Sequence, residues 1–350
     1  MMIISEQDAQ WAADEFIKYF SQMGNIEDYL RFVKKEVVKS TNTLAPLHDE
    51  FFNEDIHPED MEFDIKFIGD RFQQSLPQEH YNTLLKAVSS HNNESNIPGR
   101  ELRWMVFEKN TRKVLGFIRF GSPTINSKPR NEWLGESPNL SIFNRHAAMG
   151  FVIVPSQPFG YNYLGGKLLA LLASSNELKR QFDAKYGTDL HYFETTSLYG
   201  TTKGVSMYDG LKPYIRHIGD TESNFLPLFH DDYFREMFWW FNNNANGGER
   251  LISADKSSKK LKIQTKMISI IIKSLQDASK LHEFKKCIEH AKSLTEKKRY
   301  YISKFGYEPE EVIQWWKVKA TKRYHKLLQD NKLRKDLELW SINSNLEIIR

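Results

Sequence analysis

The spacing of hydrophobic positions changes twice along the chain and divides it into three parts. Residues 5–38 carry apolar side chains at helical spacing in two stripes. Two β-rich runs, residues 102–108 and 114–120, follow, and the polar segment between them predicts a hairpin. Towards the C-terminus the apolar positions return to helical spacing. The pattern predicts a helical N-terminal part (1–99), a central α/β domain (100–241) and a helical C-terminal region (249–350).

The centre of the α/β domain is the stretch from Gly150 to Leu172. A hydrophobic run at 151–154 predicts a buried strand that stops at Pro155, and a glycine-bearing loop then leads into an apolar helix that extends to about Lys185. Such a loop presents backbone N–H groups to an anion, although a plain strand-to-helix connection has the same spacing. The segments that follow predict a strand at 190–195, a short helix at 205–211 and a strand at 214–218.

Composition excludes several classes of protein. Of 350 residues, 40% are hydrophobic, which is enough for a sizeable core. A single cysteine, Cys287, excludes an internal disulfide and favours the reducing cytoplasm, and neither a signal peptide nor an apolar run of membrane-spanning length is present. The 11 histidines are scattered and predict no metal site. Leu168 stands where a nucleotide-binding P-loop needs Ser or Thr, which argues against an NTPase.

Positive charge is concentrated near the C-terminus. Residues 251–350 hold 23 Lys and Arg against 12 Asp and Glu, whereas the first 250 residues hold 26 against 33. This asymmetry predicts nucleic acid as a partner of the C-terminal region, with solvated lysine-rich helices as the alternative. Trp315 and Trp316 are adjacent, so at least one should belong to the core. The basic candidates for nucleic-acid contact are Lys298, Arg299, Lys317, Lys319, Lys322 and Arg323.

The order of hairpin, strand with loop and helix, strand, short helix and strand resembles the acyltransferase superfamily related to Gcn5 N-acetyltransferases. The resemblance implies an acyltransferase-like mixed sheet and binding of acetyl-CoA or a related acyl donor. The family's loop has Arg or Gln, two residues, Gly, one residue, then Gly or Ala; here Gln157 and Gly160 match, whereas Asn162 does not. The cofactor-binding residues that the resemblance implies are Val152, Val154, Gln157, Gly160, Tyr161, Gly165, Gly166 and Lys167.

A closer likeness covers about a third of the chain, from Gly116 to Gly219. An Asn139-Leu140 pair, the loop entering the helix at 164–169, Glu194-Thr195-Thr196 and the segment 204–208 resemble DruA-type proteins of the Druantia anti-phage systems and their phage-encoded relatives. More distantly, the pattern is similar to Mom-type DNA-modifying proteins, which share the acyltransferase fold. The resemblance implies a cytoplasmic protein, or one in the host cytoplasm if phage-encoded.

Several side chains are candidates for chemistry. Tyr208 lies where acetyltransferases often place an acid that protonates the leaving thiolate; a core tyrosine is the alternative. Glu194, predicted at a strand end facing the same cleft, is a candidate general base if burial raises its pKa; an exposed strand-end carboxylate is the alternative. The candidates for substrate contact are Arg145, His146, Ser197 and Tyr199.

Three functions follow from these features. The leading hypothesis is a phage- or defence-associated, transferase-like protein that acts on DNA or nucleobases. The first alternative is an acetyl-CoA-dependent N-acyltransferase of a protein or small amine. The second is a non-catalytic nucleic-acid-binding or virion-associated protein that keeps the fold. The donor group and the oligomeric state do not follow from the sequence.

Overall fold

The computed structural model describes residues 3–39, 47–69, 77–90, 99–197, 200, 204–221, 226–245, 260–295 and 297–346. Strands are β1 (Phe63–Phe67), β2 (Glu101–Glu108), β3 (Val114–Gly121), β4 (Ala147–Pro155), β5 (Tyr192–Ser197), β6 (Arg216–Asp220) and β7 (Arg299–Lys304). Helices are α1 (Glu6–Phe20), α2 (Ile26–Lys39), α3 (Gln78–Val88), α4 (Lys128–Leu134), α5 (Leu140–His146), α6 (Phe159–Asn162), α7 (Gly165–Ala173), α8 (Asn176–Tyr186), α9 (Asp231–Asn243), α10 (Lys260–Ser274), α11 (Ala278–Ser293) and α12 (Pro309–Gln329).

All seven strands form one mixed sheet in the order β1-β2-β3-β4-β5-β7-β6. The pairs are antiparallel except β4 with β5, which run parallel. The last strand in sequence, β7, lies between β5 and β6, so the sheet is completed by a segment about 100 residues beyond β5. The mixed α/β fold class is therefore confirmed.

The chain forms two compact units, and each is built from two separate stretches. One unit comprises Met1–Val37 and Ser223–Lys297, and the other comprises Val38–Glu222 and Lys298–Arg350. The first unit packs α1 with α10 and α11 around buried aromatic rings, among them Phe16, Phe229 and Phe284. The second unit contains the sheet.

The sheet is covered on both faces. On one face α7, α8 and α12 enclose a core that includes Trp104, Phe193 and Trp316. On the other face α3 packs beneath β2, β3 and β4 with Tyr81 and Phe117 in its core. Because both faces are covered, β2 and β3 are buried along almost their whole length, and apolar residues predominate in them without strict alternation.

The local predictions have mixed outcomes. The hairpin is confirmed, because β2 pairs antiparallel with β3 across residues 109–113. The strand at 151–154 is confirmed as part of β4, and Trp316 is fully buried, as expected for at least one of the two tryptophans. The helix predicted at 205–211 is wrong, because these residues form turns. The single helix to Lys185 is also wrong, because Ser174 and Ser175 separate α7 from α8.

Two strands lie in parts that the sequence predicts as helical. β1 lies within residues 1–99, and β7 lies within residues 249–350. Across the residues that the structure describes, no helix combines the length and apolar character needed to cross a membrane.

Candidate functional site

The two parallel strands at the centre of the sheet pair over only part of their length. β4 and β5 are in register from Ala147 with Tyr192 to Gly150 with Thr195. Beyond these residues β4 continues beside β3 to Pro155, and β5 continues beside β7 to Ser197. The strands therefore separate at Gly150 and Thr195, at the end of β4 that leads to α6 and α7.

Tyr208 lies at this point of separation. Its hydroxyl hydrogen-bonds Thr195, whose own hydroxyl donates to the Gly150 carbonyl oxygen at 3.0 Å. The ring packs edge-on against Tyr301, with 5.2 Å between centroids, and only 5% of the residue is exposed. Burial raises the pKa of Tyr208 above its ordinary value, so the phenol keeps its proton at neutral pH.

Glu194 faces the other side of the sheet. Its Oε2 accepts a hydrogen bond from the Tyr300 hydroxyl at 2.8 Å and lies 3.6 Å from Nη1 of Arg130, while Oε1 has no partner among the described residues. Burial raises the pKa of Glu194 to about 7, against the lowering effect of Arg130. The expectation that Glu194 shares a cleft with Tyr208 is wrong, because adjacent residues of β5 point to opposite faces.

Arg130, which approaches the Glu194 carboxylate, has further contacts of its own. Its Nη1 donates to the Thr124 carbonyl oxygen at 2.7 Å, and its guanidinium lies 4.5 Å from the centre of the Phe143 ring. The sequence analysis singled out neither Arg130, on α4, nor Tyr300, on β7, which lies in a region predicted as helical. No local signal in either segment indicates a partner for Glu194.

The start of α7 is filled by side chains of the same chain. A Cβ on Gly165 would lie 2.5 Å from the Phe159 ring, and one on Gly166 would lie 3.0 Å from the Met207 methyl group. Lys167 donates from Nζ to the Asp209 carbonyl oxygen. Burial lowers the pKa of Lys167, and the nearby Lys319 ammonium lowers it further. An anion at this helix start would have to displace the contact between Lys167 and Asp209.

Hydrogen bonds and ring contacts within the chain hold the loop before α7. The Gln157 side-chain oxygen accepts from the Tyr161 N–H at 2.9 Å. The guanidinium groups of Arg323 and Arg334 lie 4.7 and 3.9 Å from the centre of the Tyr161 ring. Gly160 donates its N–H to the Ser156 carbonyl oxygen at 2.8 Å. The remaining cofactor candidates, Val152 and Val154, pair with β3 and pack on the α3 side of the sheet.

The predicted substrate residues do not form one group. Ser197 is buried at the end of β5 opposite Arg299, whereas Arg145 and His146 lie at the other end of the parallel pair, just before β4. His146 contacts Asp189 and the ring of His191. Tyr199 lies outside the described residues.

The six predicted nucleic-acid residues differ in their surroundings. Lys298 is half-buried, and burial lowers its pKa. Three others make contacts within the chain: Arg299 with Asp209 at 2.7 Å, Lys317 with the Glu59 carbonyl oxygen at 2.7 Å, and Arg323 with the Tyr161 carbonyl oxygen at 3.4 Å. Lys319 and Lys322 are exposed on α12.

Comparison with known proteins places the chain in a family. The family model of the Druantia protein DruA matches residues 22–205, more than half of the chain. The Druantia protein DruA of Escherichia coli (strain UMEA 4076-1) is 28% identical over 164 residues, which cover 40% of this chain and 39% of that protein. The match thus spans well under two thirds of the relative's length. No solved structure matches the chain. Because the family model covers more than half of its length, this protein belongs to the DruA family.

Proposed function

We propose that this protein binds nucleic acid through α12 and acts in anti-phage defence. Membership of the DruA family supports the defence role, since the relative is a Druantia protein. The observation that carries the nucleic-acid proposal is a row of lysines on α12 that approaches the start of α7.

The row follows from helical geometry. Lys319, Lys322 and Lys326 are separated by three and four residues, so they share one face of α12. All three lysines are exposed, and none of them forms an ion pair with a residue in the described part of the chain. An adjacent face of the helix packs into the core through buried residues, which include Val312, Trp316, Ala320 and Leu327.

The row of lysines on α12 continues to the start of α7. Lys319 lies 5.3 Å from the centre of the Trp315 ring and close enough to Lys167 to lower its pKa. Positive charge therefore extends from the middle of α12 to the beginning of α7. A row of ammonium groups on one helix suits the phosphates of a nucleic-acid backbone, which are recognised by charge rather than by base sequence.

Binding should therefore depend on salt and become weaker when the row of lysines is removed. We expect the K319A/K322A/K326A variant to bind a DNA duplex more weakly and to reduce the slope of log Kd against log salt by about 3, since each lysine-phosphate contact contributes about 0.9. A K285A/K286A/K292A variant removes the same charge from exposed positions on α11 and serves as the control. Equal slopes for the wild type and the α12 variant in fluorescence anisotropy would refute the proposal.

A transferase activity on nucleic acid is the second candidate, and the separation of β4 from β5 favours it. An acyltransferase-like fold needs such a gap for the reacting group, and Tyr208 lies at its apex as a protonated phenol, which suits a proton donor. The filled start of α7 does not fit the pyrophosphate of acetyl-CoA.

Mass analysis of nucleosides tests this second candidate directly. DNA and RNA from cells that express the wild type should contain a modified nucleoside that is absent with Y208F, since this variant keeps the ring and removes the hydroxyl group that would donate the proton. Unmodified nucleosides with the wild type would reject the transferase and leave the binding proposal standing.

A further inference from the structure

Three potential metal ligands meet where the parallel strands begin. His146 immediately precedes β4, and Asp189 and His191 lie within the three residues before β5. One ring nitrogen from each histidine and one carboxylate oxygen all lie within 4.8 Å of one another. His146 precedes Asp189 and His191 by more than 40 positions in the sequence, so the pairing of β4 with β5 brings it to them.

Backbone hydrogen bonds hold these ligands in place. The Asp189 N–H donates to the Arg145 carbonyl oxygen at 3.0 Å, and the His191 N–H donates to the His146 carbonyl oxygen at 2.8 Å. The next residues, Ala147 and Tyr192, form the first pair of the parallel ladder. The ligand positions are therefore fixed by the sheet and not by flexible loops, which is what a preorganised site requires.

One hydrogen bond sets the tautomer of His146. Nδ1 of His146 lies 2.8 Å from the Asp189 carbonyl oxygen, which can only accept, so Nδ1 carries the proton and Nε2 keeps its lone pair. A backbone carbonyl bonded to the second nitrogen is the usual support for a metal-binding histidine. The two imidazole rings meet at 77°, with 4.9 Å between centroids.

Each oxygen of the Asp189 carboxylate contacts a different neighbour. Oδ1 accepts from Nζ of Lys179 at 2.8 Å, and Oδ2 lies 2.8 Å from Nε2 of His191. Lys179 is itself held by Asp183 at 2.9 Å. Oδ2 can thus turn from His191 to a cation while Lys179 continues to orient Oδ1.

The cluster borders a groove of about 400 Å³. Lys179, Asp189 and His191 line one part of it, and Lys304 and Gly306 line another. We propose that His146, Asp189 and His191 bind one divalent transition-metal ion, with its remaining coordination positions open to this groove. Two imidazoles and one carboxylate suit Zn²⁺, Fe²⁺ or Co²⁺ and do not suit Mg²⁺ or Ca²⁺, which prefer oxygen ligands alone.

A second histidine-carboxylate pair provides a matched control. Nε2 of His217 lies 3.0 Å from Oδ1 of Asp220, and both side chains are exposed, as are those of His191 and Asp189. No further histidine, cysteine or carboxylate completes a three-residue cluster there among the described residues. An ordinary surface pair of this kind should not bind a metal tightly.

The test is titration of the full-length, tag-free protein with Co²⁺, followed by visible absorption, and with Zn²⁺, followed by calorimetry. We expect one equivalent of each metal to bind, and D189N and H191A to weaken binding by more than about 100-fold, since loss of a supporting group alone costs 10- to 100-fold. The H217A variant should bind as the wild type does. Circular dichroism of each variant checks that it folds.

Two outcomes would overturn the proposal. One is the absence of saturable binding by the wild type, and the other is equal binding by H191A and the wild type, which would place the metal elsewhere. Neither outcome bears on DNA binding by α12, which is measured without added metal.

Discussion

Glu194 should make the stability of this protein fall as pH rises from about 4.5 to 7. Its pKa is about 7 in the folded state and about 4.5 when unfolded, because burial disfavours the charged form. Between these values the folded state holds a proton that the unfolded state has lost, so unfolding becomes easier with rising pH. The difference of about 2.5 pH units, at 1.36 kcal/mol each, amounts to about 3 kcal/mol.

The E194Q variant isolates this contribution, because glutamine keeps the shape and cannot ionise. The change that E194Q makes in the free energy of unfolding has two parts. One is independent of pH, since Arg130 loses its carboxylate neighbour, and the other depends on pH. We therefore predict that the wild-type stability minus that of E194Q declines by about 3 kcal/mol between pH 4.5 and pH 8. Urea denaturation followed by circular dichroism measures this difference in stability. Two transitions are fitted if the compact units unfold separately.

The control is E108Q. Glu108 is also fully buried, but its oxygens accept hydrogen bonds from the Thr111 N–H at 2.7 Å and from Asn110 at 3.3 Å. This variant reports what a Glu-to-Gln change does at a buried site whose oxygens have donors. A difference between wild type and E194Q that stays constant across the pH range would show that Arg130 keeps Glu194 ionised, and the reasoning from burial would be refuted.

Two further predictions concern packing. Because a Cβ on Gly165 would lie 2.5 Å from the Phe159 ring, G165A should destabilise the protein by about 1–3 kcal/mol in thermal unfolding, and an unchanged Tm would show that Phe159 moves freely. Trp316 is fully buried and Trp315 only partly, so W316A should cost about 3–5 kcal/mol and W315A clearly less; the reverse order would contradict the placement of α12.

The elements that the sequence predicts correctly are those specified by residues close together in the chain. Residues 102–120 show two β-rich runs around a polar turn, and β2 and β3 follow them closely. β1 was missed although Phe63, Ile65 and Phe67 alternate with polar residues, because the acidic residues around them obscured the alternation. β7 was missed because its six residues lie in a lysine-rich region and are specified by partners far away in sequence.

The candidate site was predictable in part for the same reason. Glu194 and Tyr208 could be selected by residue type and position, but their assignment to opposite faces depends on the register of β5, which a one-residue shift would reverse. His146, Asp189 and His191 show no metal-binding spacing, because β4 and β5 rather than a continuous motif bring them together. Arg130 likewise meets Glu194 only in the folded chain.

The position of β7 between β5 and β6 has a consequence for synthesis of the protein. β5 leaves the ribosome about 100 residues before the strand that pairs with its free edge, and at 5–20 residues per second this edge remains unpaired for about 5–20 s. An exposed strand edge is a template for pairing with another chain. The nascent chain therefore has an interval in which aggregation competes with folding, and any truncation before Arg299 makes that interval permanent.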